Sequence, residues 1–299
     1  MADPIIIGTV ALDSIETPFG KVENALGGSA SYASFSASFF SKPGILSIIG
    51  RDFPEDHMNF FKEKGIDTKG IIVGDKTFRW QGYYEFDMNE AKTLKTELNV
   101  LETYKVEIPE EYRNAKYVFL GNIDPERQIQ VIDSLKNPEL IVMDTMNLWI
   151  DIKKDQVIEA IKKIDVLILN DGEARQLFET TNLVKAAKDA LKLVSKAVII
   201  KKGEHGALLF TTDRHFSAPG YPLENVKDPT GCGDTFGGGF TGYLEKTKDI
   251  SEKNMRKAII YGSALASFNA EGFGMDRLKE VTKKDIEERF EEFKKLREF

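Results

Sequence analysis

The 299-residue chain is 41% hydrophobic and 30% charged, enough apolar material for one large core beneath a well-charged surface. Its formal net charge of −7 argues against non-specific binding to nucleic acid, and its one cysteine excludes an intrachain disulfide, which fits a reducing cytoplasm. No apolar run approaches the length of a membrane span, the run after Pro4 is too short and lacks the basic flank of a signal peptide, and His57, His205 and His215 show no metal-ligand spacing.

Residues 5–10 read as a short buried strand, rich in β-branched side chains, that ends near Asp13. Residues 17–26 are polar, with Pro18 and Gly20 among them, and read as an edge ribbon. Gly27-Gly28 then opens a small-residue helix over 29–40. A glycine pair there is either a tight turn or a set of backbone amides offered to a ligand. Further on, apolar strands at 44–49, 117–120, 140–143 and 166–169 alternate with helical patterns such as 126–135 and 156–164. That rhythm predicts a mostly parallel sheet covered on both faces. Right-handed crossovers bring the carboxyl ends of such strands to one edge, where ligands bind and where Asp124, Asp144, Asn147, Asn170 and Glu173 collect.

One stretch, 71–104, breaks the rhythm. Within it Phe78, Trp80, Tyr84 and Phe86 alternate with Arg79, Gln81 and Glu85, the pattern of a half-buried antiparallel strand. Paired with 21–26 it makes a small sheet standing off the core, so the chain reads as one domain over 1–299 with a lid inserted at about 14–26 and 71–104. Its aromatic face suits either a lid that keeps water from a substrate or a contact with a second copy of the chain.

Strands at 198–200 and 207–210 flank a turn containing Lys202, Gly203 and Gly206. A helix over 251–268 breaks at Gly272-Phe273-Gly274, and a charged helix over 282–299 carries Ile286, Phe290 and Phe293 on one face. Between these segments stands Asp228-Pro229-Thr230-Gly231-Cys232-Gly233-Asp234-Thr235-Phe236, followed by three glycines. Pro229 forces a turn, and the glycines let backbone amides crowd at a helix N-terminus, which favours an anion. Asp234 at that edge either caps the helix or serves as a base. Gly237, Gly238 and Gly239 are poor helix formers, so the helix they open must pack closely on something.

The stretch DPTGCGDTF resembles the signature of the PfkB carbohydrate kinases, the ribokinase-like family. The other family marks follow in order along the chain: Asp13 with Gly27-Gly28, the lid insert, Asn170 with Glu173, and the Gly203–Gly206 turn. The resemblance implies a ribokinase-like three-layer α/β/α fold with a mostly parallel central sheet and a small β-sheet lid. It implies transfer of the γ-phosphoryl group of ATP to a hydroxyl of a sugar or nucleoside, with Asp234 as base and Gly231, Cys232 and Gly233 as anion hole. Asp13, Gly27 and Gly28 would then contact the acceptor, and so would Tyr32, which stands where the family often has Asn. Asn170 and Glu173 would act on Mg2+ through water, while Lys202, Gly203, Gly206 and Asn269 would border ATP. Asp228 and Thr230 stand where relatives bind potassium. A regulator that binds sugar or nucleotide without turnover would keep the glycines but would not need Asp234 or Glu173, and both are present.

Overall fold

In the computed structural model, which describes residues 2–298, the apolar runs become the strands of one large sheet. In chain order the strands are β1 (Ile5–Ile7), β2 (Ala11–Thr17), β3 (Gly20–Gly27), β4 (Gly44–Gly50), β5 (Asp67–Gly74), β6 (Phe78–Tyr83), β7 (Lys92–Glu97), β8 (Tyr117–Leu120), β9 (Leu140–Asp144), β10 (Val166–Asn170), β11 (Ala197–Lys201), β12 (Ala207–Phe210) and β13 (His215–Ala218). The helices are α1 (Ser29–Ser38), α2 (Glu55–Glu63), α3 (Pro125–Ser134), α4 (Asn147–Ile152), α5 (Lys154–Ile161), α6 (Asp171–Leu177), α7 (Leu183–Ala190), α8 (Cys232–Thr247), α9 (Glu252–Ala270), α10 (Asp276–Glu280) and α11 (Lys283–Lys295).

The nine-stranded sheet runs β13-β12-β11-β10-β9-β8-β1-β4-β5. Its pairings are parallel except that β12 is antiparallel to both its neighbours. Alternate residues leave opposite faces of a strand, so the sheet feeds two cores. Ile6, Phe119, Val142, Ile168 and Ile199 pack under α1, α8, α9 and α11, while Ile7, Val118, Met143, Leu167 and Val198 pack under α3 to α7. Burial on both faces is why these strands read as unbroken apolar runs. The result is the three-layer α/β/α arrangement. Among the described residues no helix is long and apolar enough to cross a membrane.

The glycines of α8 explain its seating. A Cβ at Gly238 would lie 2.0 Å from the Ala33 carbonyl oxygen of α1, and one at Gly237 would lie 2.4 Å from the Phe119 ring of β8. The helix therefore lies almost backbone to backbone on α1, which outweighs the poor helix propensity of glycine.

Four strands form the second sheet in the order β3-β2-β6-β7. Four expectations change here. Residues 5–10 are not one strand: β1 stops at Ile7, and the chain re-enters structure at Ala11 in the small sheet, so Asp13 lies within β2 and not at the end of a core strand. The segments 21–26 and 77–86 do not pair, because β2 runs between them and pairs parallel with β6, whose antiparallel partner is β7. Residues 71–74 complete β5 of the large sheet, so the insertion is narrower than 71–104. Phe86 is 87% exposed, because β6 ends at Tyr83 and the alternation ends with it. The edge position of 17–26 holds, with β3 outermost.

Candidate active site

Three neighbouring strands end in polar residues at one edge of the large sheet: β9 in Asp144, β10 in Asn170 and β11 in Lys201. Lys201 Nζ lies 2.6 Å from Asp144 Oδ2, with both side chains largely buried. One turn into α6, Glu173 forms a capping box with Asn170: Glu173 Oε2 accepts the Asn170 N–H at 2.7 Å, and Asn170 Oδ1 accepts the Glu173 N–H at 2.7 Å. Burial, reinforced by Asp144, pushes the Glu173 carboxyl up to about 8. Burial presses the Lys201 ammonium downward, but the carboxylates of Asp144 and Glu173 more than offset this and hold it above the usual lysine range.

The N-terminus of α8 faces this edge. Pro229-Thr230-Gly231-Cys232 is a turn closed by the Cys232 N–H donating to the Pro229 carbonyl at 3.1 Å. Gly231 has φ 74° and ψ 0°, the third position of a type II turn, which only glycine enters without strain. The amide of Cys232, expected in the anion hole, thus donates within the turn. Among the described residues, the N–H groups of Gly231 and Gly233 have no hydrogen-bond partner. They lie at the positive end of the α8 helix dipole. The Cys232 thiol is pushed up to about 12 by burial and donates to the Ala266 carbonyl, which keeps it protonated. A Cβ at Gly233 would lie 2.9 Å from Lys201 Nζ, so the one cation of the cluster sits directly against the Pro229–Cys232 turn. Asp234, in the first turn of α8, is pushed up to about 7 by burial and by Asp144, against the pull of Lys201. It does not cap its helix: the N-cap is Gly231, with no side-chain bond.

Asp144, Glu173 and Asp234 thus share one ammonium, and that deficit of positive charge suits a cation. Among the described residues no group of three or more His, Cys, Asp and Glu side chains is arranged to hold a metal by itself.

On the other side of the turn lies the small sheet. Gly27 presses its backbone on Asp13, since a Cβ there would lie 1.9 Å from Asp13 Oδ2. Gly28 precedes α1 with φ 89° and touches the Thr9 carbonyl, so its conformation and its space both demand glycine. Burial pushes Asp13 up to about 7, while the Gly28 N–H pulls the other way and Asp228 and Asp234 add to the rise. Tyr84 Oη lies 3.2 Å from Thr230 Oγ1, and Asn89 comes near Gly203, so the loop from β6 to β7 reaches both the Pro229–Cys232 turn and the Lys202–Gly206 turn.

Two further expectations are corrected. Tyr32 is 1% exposed, with its ring against Gly231, where a Cβ would lie 2.5 Å away; it props the turn from a buried position. Asn269 is fully buried, and its Nδ2 donates to the Thr230 carbonyl at 2.8 Å, so it secures the same turn and is not open to ATP. Asp228, also fully buried, accepts the Thr230 N–H at 2.9 Å and the Gly274 N–H at 2.8 Å and ties the two loops together.

The family profile described as pfkB family carbohydrate kinase matches residues 12–280, which contain every one of these groups. The chain belongs to the pfkB family of carbohydrate kinases. It is therefore a phosphotransferase that acts on an alcohol group. Among curated pfkB relatives it is 29% identical to a cytidine kinase of Thermococcus kodakarensis, over 84% of this chain and 92% of that one. In fold it resembles a nucleoside kinase of Burkholderia thailandensis solved with inosine (TM-score 0.78, 19% identity, 96% of each chain). It also resembles a provisionally assigned ribokinase II of E. coli solved with ATP and Mg2+ (TM-score 0.77, 18% identity, 99% of this chain and 100% of that one).

For this pfkB member, sequence reasoning chose Lys202 and missed Lys201. Neighbours on a strand point to opposite faces, and it is Lys201 that enters the charged cluster. The available signal was its place as the polar end of an apolar strand, in line with Asp144 and Asn170.

Proposed function

We propose that the protein transfers the γ-phosphoryl group of ATP to a hydroxyl of a sugar or nucleoside, with Asp234 as the base. The observation that carries this reading is the Asp234 carboxyl, titrating near 7, in the same helix turn as the free amides of Gly231 and Gly233. A base poised near the working pH takes a proton most effectively. Asp13, with Gly27 and Gly28, holds the acceptor's other hydroxyls. Asp234 draws the proton from the attacking hydroxyl, and the amides of Gly231 and Gly233 bind the charge that gathers on the phosphoryl oxygens. Lys201, against Gly233, adds a cation at the same place.

Glu173 and Asn170 would hold Mg2+ through water; once bound, the ion supplies shielding of the phosphate charge. The Lys202–Gly206 turn would border the nucleotide. Among the described residues, Asp228 is a buried carboxylate bonded only to backbone and Thr230 groups, a setting that favours a monovalent cation such as K+ nearby. The test is ADP release measured across a panel of sugars and nucleosides. Acceptor-dependent release supports the reading, and its absence with every acceptor favours a binding regulator on the same scaffold.

A further inference from the structure

We propose that the acceptor is a nucleoside and that its base stacks on the indole of Trp80. The inference rests on the kinase reading above and adds the substrate class. Strands β2 and β6 are parallel with Asp13 opposite Trp80, so the two side chains leave the same face of the small sheet one strand spacing apart, about 4.8 Å. That face looks toward the catalytic loops: Ala25, the partner of Asp13 on β3, lies where a Cβ at Gly274 would touch it at 3.5 Å. The half-buried indole is held flat. Its six-membered ring crosses Gly82, where a Cβ would lie 2.3 Å from it, and its Nε1 donates to Thr93 Oγ1 at 3.1 Å.

Moving across this face from Gly27 to Asp13 to Trp80, the surface changes from hydroxyl-binding to aromatic. On β6 the same face carries Phe78, Trp80 and Gly82, with no charged group. A monosaccharide bound by Asp13 fills the space over β2 and leaves the indole bare. A sugar bearing a planar, weakly polar ring covers both. The Thr93 hydroxyl, accepting from Trp80, keeps its own hydrogen for an acceptor atom on the edge of that ring.

The experiment combines ADP release with binding. Base–aromatic stacking predicts that Trp80→Ala raises KM for cytidine, uridine, adenosine or inosine roughly 5- to 150-fold, that Trp80→Phe restores most of the loss, and that KM for ATP is unchanged. The chain has two tryptophans, so in a Trp149→Phe background the emission is that of Trp80 alone; nucleoside should quench it and D-ribose should not. No quenching by any nucleoside, or equal losses toward nucleoside and ribose in Trp80→Ala, overturns the shelf. ADP release with free sugars but with no nucleoside overturns this inference while the kinase reading stands. Release with no acceptor at all, despite quenching, fails the kinase reading and leaves the stacking site intact.

Discussion

Lys201 and Asp144 form an ion pair across the end of β10, with Nζ 2.6 Å from Oδ2, and the pair rests against Gly233 in the first turn of α8. Lys201 lowers the pKa of Asp234 and Asp144 raises it, so the pair sets the ionisation of the proposed base from outside its own helix.

The first prediction concerns that control. Lys201→Met removes the one cation, so the acid limb of the kcat/KM profile should move to higher pH while kcat falls. Asp144→Asn removes the opposing charge and should move the same limb to lower pH. Initial rates from pH 5.5 to 9 would show either shift, and limbs that stay in place in both variants would separate the pair from the base.

The turn gives a second prediction. Gly231→Ala forces a side chain into a left-handed position and into the Tyr32 ring, so turnover should fall steeply. Tyr32→Phe should instead leave stability unchanged or slightly raised, because the buried Tyr32 hydroxyl has no hydrogen-bond partner among the described residues. Denaturant midpoints and rates on the two variants check both outcomes.

Helix α8 gives a third. Gly238→Ala improves helix propensity by about 1 kcal/mol, yet a Cβ 2.0 Å from the Ala33 backbone must push two helices apart. Overpacking of this kind costs about 1 to 3 kcal/mol, more where backbone is struck, so the variant should be less stable. Chemical denaturation would measure the sign.

Stability should also depend on pH through the site. Asp13 and Asp234 titrate near 7 and Glu173 near 8 in the folded chain, against about 4 when unfolded. Between those values the folded state binds more protons. Their contribution is therefore complete below about pH 4 and is lost as the pH rises through 7 to 8. Asp234→Asn removes one of the three groups, so its unfolding free energy should fall less than that of the wild type from pH 5 to 8. Equal slopes would contradict the buried, proton-rich site.

Much of this was legible in the chain because the physics was local. The strands at 117–120, 140–143 and 166–169 are buried on both faces, and their apolar runs announce them. Gly231 was legible because its turn requires glycine. What stayed hidden depended on tertiary choices. That β2 intervenes between β3 and β6 is set by a parallel pairing with no turn to mark it. Tyr32 and Asn269 were expected to touch ligand, because residue type and position do not reveal that both support the turn from behind. Lys201 was passed over because its neighbour Lys202 opens the glycine turn, although its place as the polar end of β11 marked it as the inward one.

The most direct measurement is kcat for Asp234→Asn in the ADP-release assay with the best acceptor. The account predicts a fall of about 10²- to 10⁴-fold with KM for ATP preserved. A variant that turns over at the wild-type rate would contradict it.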